Sequence, residues 1–89
     1  MISHTTDRFR QAFTALPVSV RQQARKAYLL FSSNPSHPSL RFKQVHTTHP
    51  VFSVRVGLSY RALAVRKNDT LIWFWIGSHE EYELLLKKL

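Results

Sequence analysis

The chain has 89 residues, no cysteine, and thirteen lysines and arginines against five acids, a formal charge of +8. That length accommodates one small domain over residues 1–89, and the lack of cysteine excludes disulfide frameworks and thiolate metal sites, which fits a reducing cytoplasm. The basic excess calls for an anionic partner, and it is concentrated: eleven Lys and Arg precede Asn68, against a single acid, Asp7.

The first residues, MISHTTDRF, lack the apolar segment of a signal peptide. No run of ~18 apolar residues follows, so no membrane span is expected and no membrane partner is assigned. Residues 1–4 are too short to assign beyond a fragment of edge strand. Thr5 or Thr6 can cap a first helix, with Asp7 in its first turn and Phe9, Phe13 and Leu16 along one stripe. Pro17 ends it. Ser19 is the expected cap of a second helix over residues 20–31, with Val20, Ala24, Ala27 and Phe31 as its stripe. Two short helices meeting at Pro17 predict a helical hairpin, because neither can bury its face alone.

Residues 32–39, SSNPSHPS, are a loop. Leu40, Phe42 and Gln44 then alternate with Arg41, Lys43 and Val45, the pattern of a short strand. A polar turn, HTTHP, leads into VFSVRV and YRALAV, two alternating runs joined by Gly57-Leu58-Ser59. If that link is a three-residue hairpin loop, Val56 opposes Tyr60 and Arg55 opposes Arg61. A loop of two or four residues would send the two arginines to opposite faces. After a turn at Lys67-Asn68-Asp69, residues 71–76 are apolar on both sides, as in a central strand. Gly77 is expected to leave that strand. Ser78 and Glu81 form a capping box for a last helix whose stripe is Tyr82, Leu85, Leu86 and Leu89. The class is α+β: an N-terminal helical hairpin packed on a four-stranded, mainly antiparallel sheet, with a short C-terminal helix and the helices on one face.

Chemistry is sought first among the histidines. His46 and His49 make a loose pair with no third ligand nearby in sequence, so no metal site and no cofactor is assigned. With Gly57 and Gly77 as the only glycines, no phosphate-binding glycine loop exists. The basic sheet face is the better candidate. Like charges directly opposite each other on a hairpin are unfavourable unless an anion lies between them, so Arg55 and Arg61 mark an anion site. His79 stands in the first turn of the last helix, where the amides favour an anion. Tyr82 is one turn on, where its place on the apolar stripe assigns it to packing before chemistry. Arg41, Lys43, Arg66 and Lys67 are the candidate nucleic-acid contacts. Trp73 and Trp75 can stack on bases, but a central strand makes them core. Arg, Lys, His and Tyr without carboxylates suit cleavage of RNA by its own 2′-hydroxyl, which needs a proton acceptor, a donor and cations at phosphorus.

The segments NPSHPSLRFKQV, VFSVRVGLSYRALAV and WIGSHEEYELL, behind the helical hairpin, resemble the RelE/ParE superfamily of toxin–antitoxin toxins. The resemblance covers nearly the whole chain, and the Tyr60-Arg61 strand is its most specific part. It implies that Arg61 contacts the scissile phosphate, that Arg55 matches a basic residue of the preceding strand, and that His79 falls where many members carry Arg or His. Tyr82 corresponds to a C-terminal tyrosine at shorter spacing, and Ser53 stands where a basic residue is the pattern. The RelE branch implies mRNA cleavage in the ribosomal A site, with catalytic residues Arg61, Arg55, His79 and Tyr82. The ParE branch implies poisoning of DNA gyrase instead. Either implies an acidic antitoxin as partner; the charge and the open edges predict that it binds across the basic face, in a groove of the hairpin or as a helix or strand along a sheet edge, and covers Arg55 and Arg61.

Overall fold

The computed structural model describes residues 1–89. A first strand, β1 (Ile2–Thr5), precedes α1 (Asp7–Thr14). Thr6 caps α1 by accepting from the Phe9 amide at 3.1 Å, as its position before Asp7 predicts. The second helix, α2, runs over Val18–Ser33, longer than expected at both ends. Ser19 is not its cap. Pro17 occupies that position, because a proline with φ of −55° can enter a helix and has no N–H to leave orphaned. Its carbonyl accepts from the amides of Val20 and Arg21. At the other end Ser32 and Ser33 return hydroxyl hydrogen bonds to the carbonyls of Leu29 and Leu30.

The strand expected from residue 40 shrinks to β2 (Lys43–Gln44). Leu40 ends a 3₁₀ turn, Pro38–Leu40, and Arg41 takes a left-handed φ of 47°. Burial outweighs alternation here: Leu40 is buried against the core formed with β3, and pairing resumes only after the turn. Then come β3 (Val51–Val56), β4 (Tyr60–Lys67) and β5 (Thr70–Ser78). The sheet order is β1-β5-β4-β3-β2, five strands rather than four. All pairs are antiparallel except β1 with β5, where Ile2 faces Thr70 and Thr5 faces Trp73. Asn68 makes the tight turn into β5 with a left-handed φ of 56°. Gly77 stays inside β5, which continues through Ser78.

A bulge at Phe74 shifts the register, so that Leu63 faces Trp75 and Ala64 faces Trp73. The two faces bury different things. Val54, Val56, Ala62, Ala64, Trp73 and Ile76 pack under Phe31 of α2 and Phe9 and Phe13 of α1. Val51 and Leu63 lie on the opposite face, under Tyr82, Leu85 and Leu86 of α3 (His79–Lys88). The last helix therefore covers the face that the helical hairpin leaves open. That corrects the one-sided arrangement expected from the sequence. The Ser78 capping box forms in both directions and sets the helix start, and the His79 amide donates to the Ser59 carbonyl at 2.8 Å. No helix is long and apolar enough to cross a membrane.

Candidate active site

The three-residue loop holds, and Arg55 lies directly opposite Arg61 on the face shared with α3. Each guanidinium is steadied by a backbone carbonyl: Arg55 Nε donates to Gly57 at 3.0 Å, and Arg61 Nη1 donates to Tyr60 at 2.9 Å. One donor is used on each, and the rest of both forks is free. Burial, then repulsion by Arg55 and by Arg41, pushes the Arg61 guanidinium below its ordinary range, with Tyr82 and Glu83 acting the other way. An arginine so placed stays cationic, and it is short of counter-charge. Lys43 pairs across the strands with Ser53, which puts it on this same face toward the sheet edge. Ser53 itself is 2% exposed, so it cannot offer a group to a ligand in solution.

The helix supplies the other side. The Arg61 guanidinium carbon sits 5.9 Å from the centre of the Tyr82 ring. Tyr82 in turn stacks on His79 with centroids 5.8 Å apart. His79 Nε2 lies 3.2 Å from Glu83 Oε1, and its Nδ1 is buried without a partner. Arg61, Tyr82, His79 and Glu83 thus form a chain of contacts along the first turn and a half of α3. Glu83 is the member that sequence reasoning missed. Its signal was available, because His79 and Glu83 are four apart on a helix and so share a face. Gly77 was misread for a different reason. It lies opposite Arg61, and a Cβ there would come within 2.5 Å of the Trp75 ring. The indole, not the end of the strand, requires glycine at this position.

Arg41, Lys43, Arg55, Arg61, His79 and Tyr82 are therefore gathered. Arg66 and Lys67 are not. Arg66 projects from the opposite face, where its guanidinium covers the Phe52 ring at 5.5 Å and donates to Asn68. Lys67 pairs with Thr70 at the far end of β4. Trp73 is core under the helical hairpin, while Trp75 borders the site face. His46 and His49 stand apart, 4.6 Å between ring centres, with His46 Nδ1 accepting from the amides of Thr48 and His49.

The family model of the ParE-like toxin domain matches residues 18–84. No curated protein matches the chain. Among solved structures, the RelB-RelE antitoxin–toxin complex from Methanococcus jannaschii is similar with a TM-score of 0.71 and 17% identity, over 91% of this chain and 95% of that one. The isolated RelE toxin of E. coli is similar with a TM-score of 0.66 and 14% identity, over 99% of this chain and 98% of that one. YafQ from E. coli strain BL21(DE3) is similar with a TM-score of 0.69 and 9% identity, over 90% and 94%. At these identities the likeness is one of fold.

Proposed function

The chain belongs to the ParE-like toxin domain family, within the RelE/ParE superfamily of toxin–antitoxin toxins, and we propose that it is an endoribonuclease that stops translation by cleaving messenger RNA on the ribosome. The observation that carries this reading is the register pair of Arg55 and Arg61, with Arg41 close by and no carboxylate bonded to either arginine. Such a pair favours an anion bridging it, and a phosphodiester has the right oxygens for two forks. Arg61 stabilises the charge that grows on the phosphoryl oxygens as the 2′-oxygen bonds to phosphorus and the P–O5′ bond breaks, leaving a 2′,3′-cyclic phosphate and a 5′-hydroxyl. Arg55 and Lys43 hold flanking phosphates. His79 works through Nε2, the nitrogen that faces Glu83, because its Nδ1 is buried: Nε2 leaves the carboxylate to take the proton of the 2′-hydroxyl or to return one to the leaving 5′-oxygen. Tyr82 fixes the position of Arg61 and His79 through its ring. The reaction proceeds on these side chains without a metal or cofactor.

Expression of the wild type and of Arg61→Ala in cells, with transcript ends mapped, tests the reading. The wild type should arrest growth and produce new mRNA ends. Losing one such donor should cost ~2.7–4 kcal/mol of transition-state stabilisation, roughly a 10²–10³-fold drop in cleavage. Equal arrest by both proteins, with no new ends, would sink it.

The partner that fits is an acidic antitoxin. An apolar groove of about 880 Å³ opens between α1, α2 and β1, floored by Phe31, Trp73 and Ile76 and edged by Arg10 and Arg25. Trp73 Nε1 is buried there without an acceptor. This groove lies on the face of the helical hairpin, so a segment seated in it does not cover Arg55 and Arg61, contrary to the expectation from sequence. Neutralisation by occlusion needs a second stretch of the antitoxin to pass around the sheet to the α3 face.

Two observations favour a second reading, a gyrase poison: the matching family model is the ParE-like one, and Ser53 is buried where a basic residue is the nuclease pattern. Inhibition of purified gyrase at stoichiometric protein, with ribosomes unaffected, would select it.

A further inference from the structure

Beyond Ser53, β3 has no strand on its outer side, because β2 pairs only with Phe52 and Ser53. A cleft of about 530 Å³ occupies that space between α2 and the tip of the β3–β4 hairpin. Gln23 and Lys26 line it from the helix, and Arg55, Gly57 and Leu58 from the hairpin. Arg55 therefore serves two places: it faces Arg61 across the hairpin, and it walls the cleft. Lys26 is exposed and makes no ion pair, and no carboxylate lines the cleft. Gln23 lies against Gly57 where any Cβ would meet its amide oxygen at 2.3 Å, so the glycine lets the amide close the cleft floor. Leu58 stands on the lip, 82% exposed. Leu58 is one of several exposed apolar side chains, so the unpaired cations and Gln23 mark the cleft, and Leu58 adds an apolar surface at its lip that a base can lie against.

The geometry points to a second phosphate subsite in this cleft, where Lys26, Gln23 and Arg55 hold a phosphodiester next to the one at Arg61 and Leu58 supports the adjoining base. The inference rests on the nuclease reading, since it continues the same strand from the same arginine. A single-stranded nucleic acid is favoured over an acidic peptide because the cations are continuous with the Arg55–Arg61 pair.

The test measures binding of a short 2′-O-methyl RNA, which cannot be cleaved, across a range of salt concentrations. Each lost phosphate contact on a single strand lowers the slope of log affinity against log salt by about 0.7. Lys26→Ala and Arg61→Ala should each lower it by about that much, and the double variant by about twice as much. Lys26→Gln should match Lys26→Ala, Lys87→Ala at the far end of α3 should match the wild type, and Leu58→Ser should weaken binding with the slope unchanged. A slope that falls for Arg61→Ala but not for Lys26→Ala would overturn the subsite and leave the nuclease reading standing. RNA binding that senses neither residue would overturn both. Dependence on Lys26 only for an oligoglutamate peptide would also overturn it, and would assign the cleft to an acidic protein.

Discussion

Arg61 and Arg55 are kept side by side by backbone register, and the help of Tyr82 and Glu83 still leaves the Arg61 guanidinium below its ordinary range. The folded chain is thus less stable than one with a neutral pair, and an anion relieves that. At His79 the argument is about the proton. If it carries the proton in cleavage, His79→Ala should lower the rate of RNA cleavage by ~10²–10⁴-fold, measured on ribosomes programmed with a defined message. Tyr82 is 5% exposed and serves by its ring. Tyr82→Phe should therefore retain most cleavage and melt near the wild-type temperature, whereas Tyr82→Ala should lose about 3–5 kcal/mol in urea denaturation. A collapse of cleavage in a well-folded Tyr82→Phe would instead make the hydroxyl the proton carrier. Gly77→Ala drives a methyl into the Trp75 ring beside Arg61. It should cost roughly 1–3 kcal/mol by denaturation, as overpacking does.

At the scale of the element, α3 joins stability to function. Its first turn carries His79 and Tyr82, its second Glu83, and the Ser78–Glu81 capping box holds all three in place. Ser78→Ala removes one half of that box and should cost ~1 kcal/mol of stability, read from chemical denaturation. Cleavage should fall by more than the loss of folded protein explains, because the histidine loses its fixed distance from Arg61. The strand beneath shows the converse. Leu63 is fully buried under α3, two residues from Arg61 and so on the same face of the strand. Leu63→Ala should cost about 2–5 kcal/mol and loosen the helix on the sheet.

For the whole molecule, the decisive arrangement is a sheet covered differently on its two faces. Of thirteen lysines and arginines, only Arg10 is paired with a carboxylate, Asp7. The remaining charge is spread over both faces, with the free arginine pair near α3 and the apolar groove under the hairpin. Recognition by an acidic partner should then be steered by charge and anchored by apolar contact. Arg25→Glu, at the groove edge, should slow association with the cognate antitoxin several-fold in stopped flow at low salt, with the difference fading as salt screens it. An association rate indifferent to Arg25→Glu would place the antitoxin elsewhere.

Much of this was legible along the chain because it depends on neighbours in sequence. Alternation in VFSVRV and YRALAV, a three-residue link and a pleat of period two are enough to set Arg55 against Arg61. Thr6, Ser78 and Glu81 announce helix starts because caps bond within three residues. Tertiary packing decided what no local rule reaches. Leu40 left its strand pattern because the core had room for it, and β1 formed because β5 offered an open edge. The side of the sheet taken by α3 followed from which face the hairpin had already covered. That choice brings the helix with His79 and Glu83 to the arginines and leaves Arg66 behind. A side chain's face on a strand is local information, but what lies over that face is a property of the assembled layers.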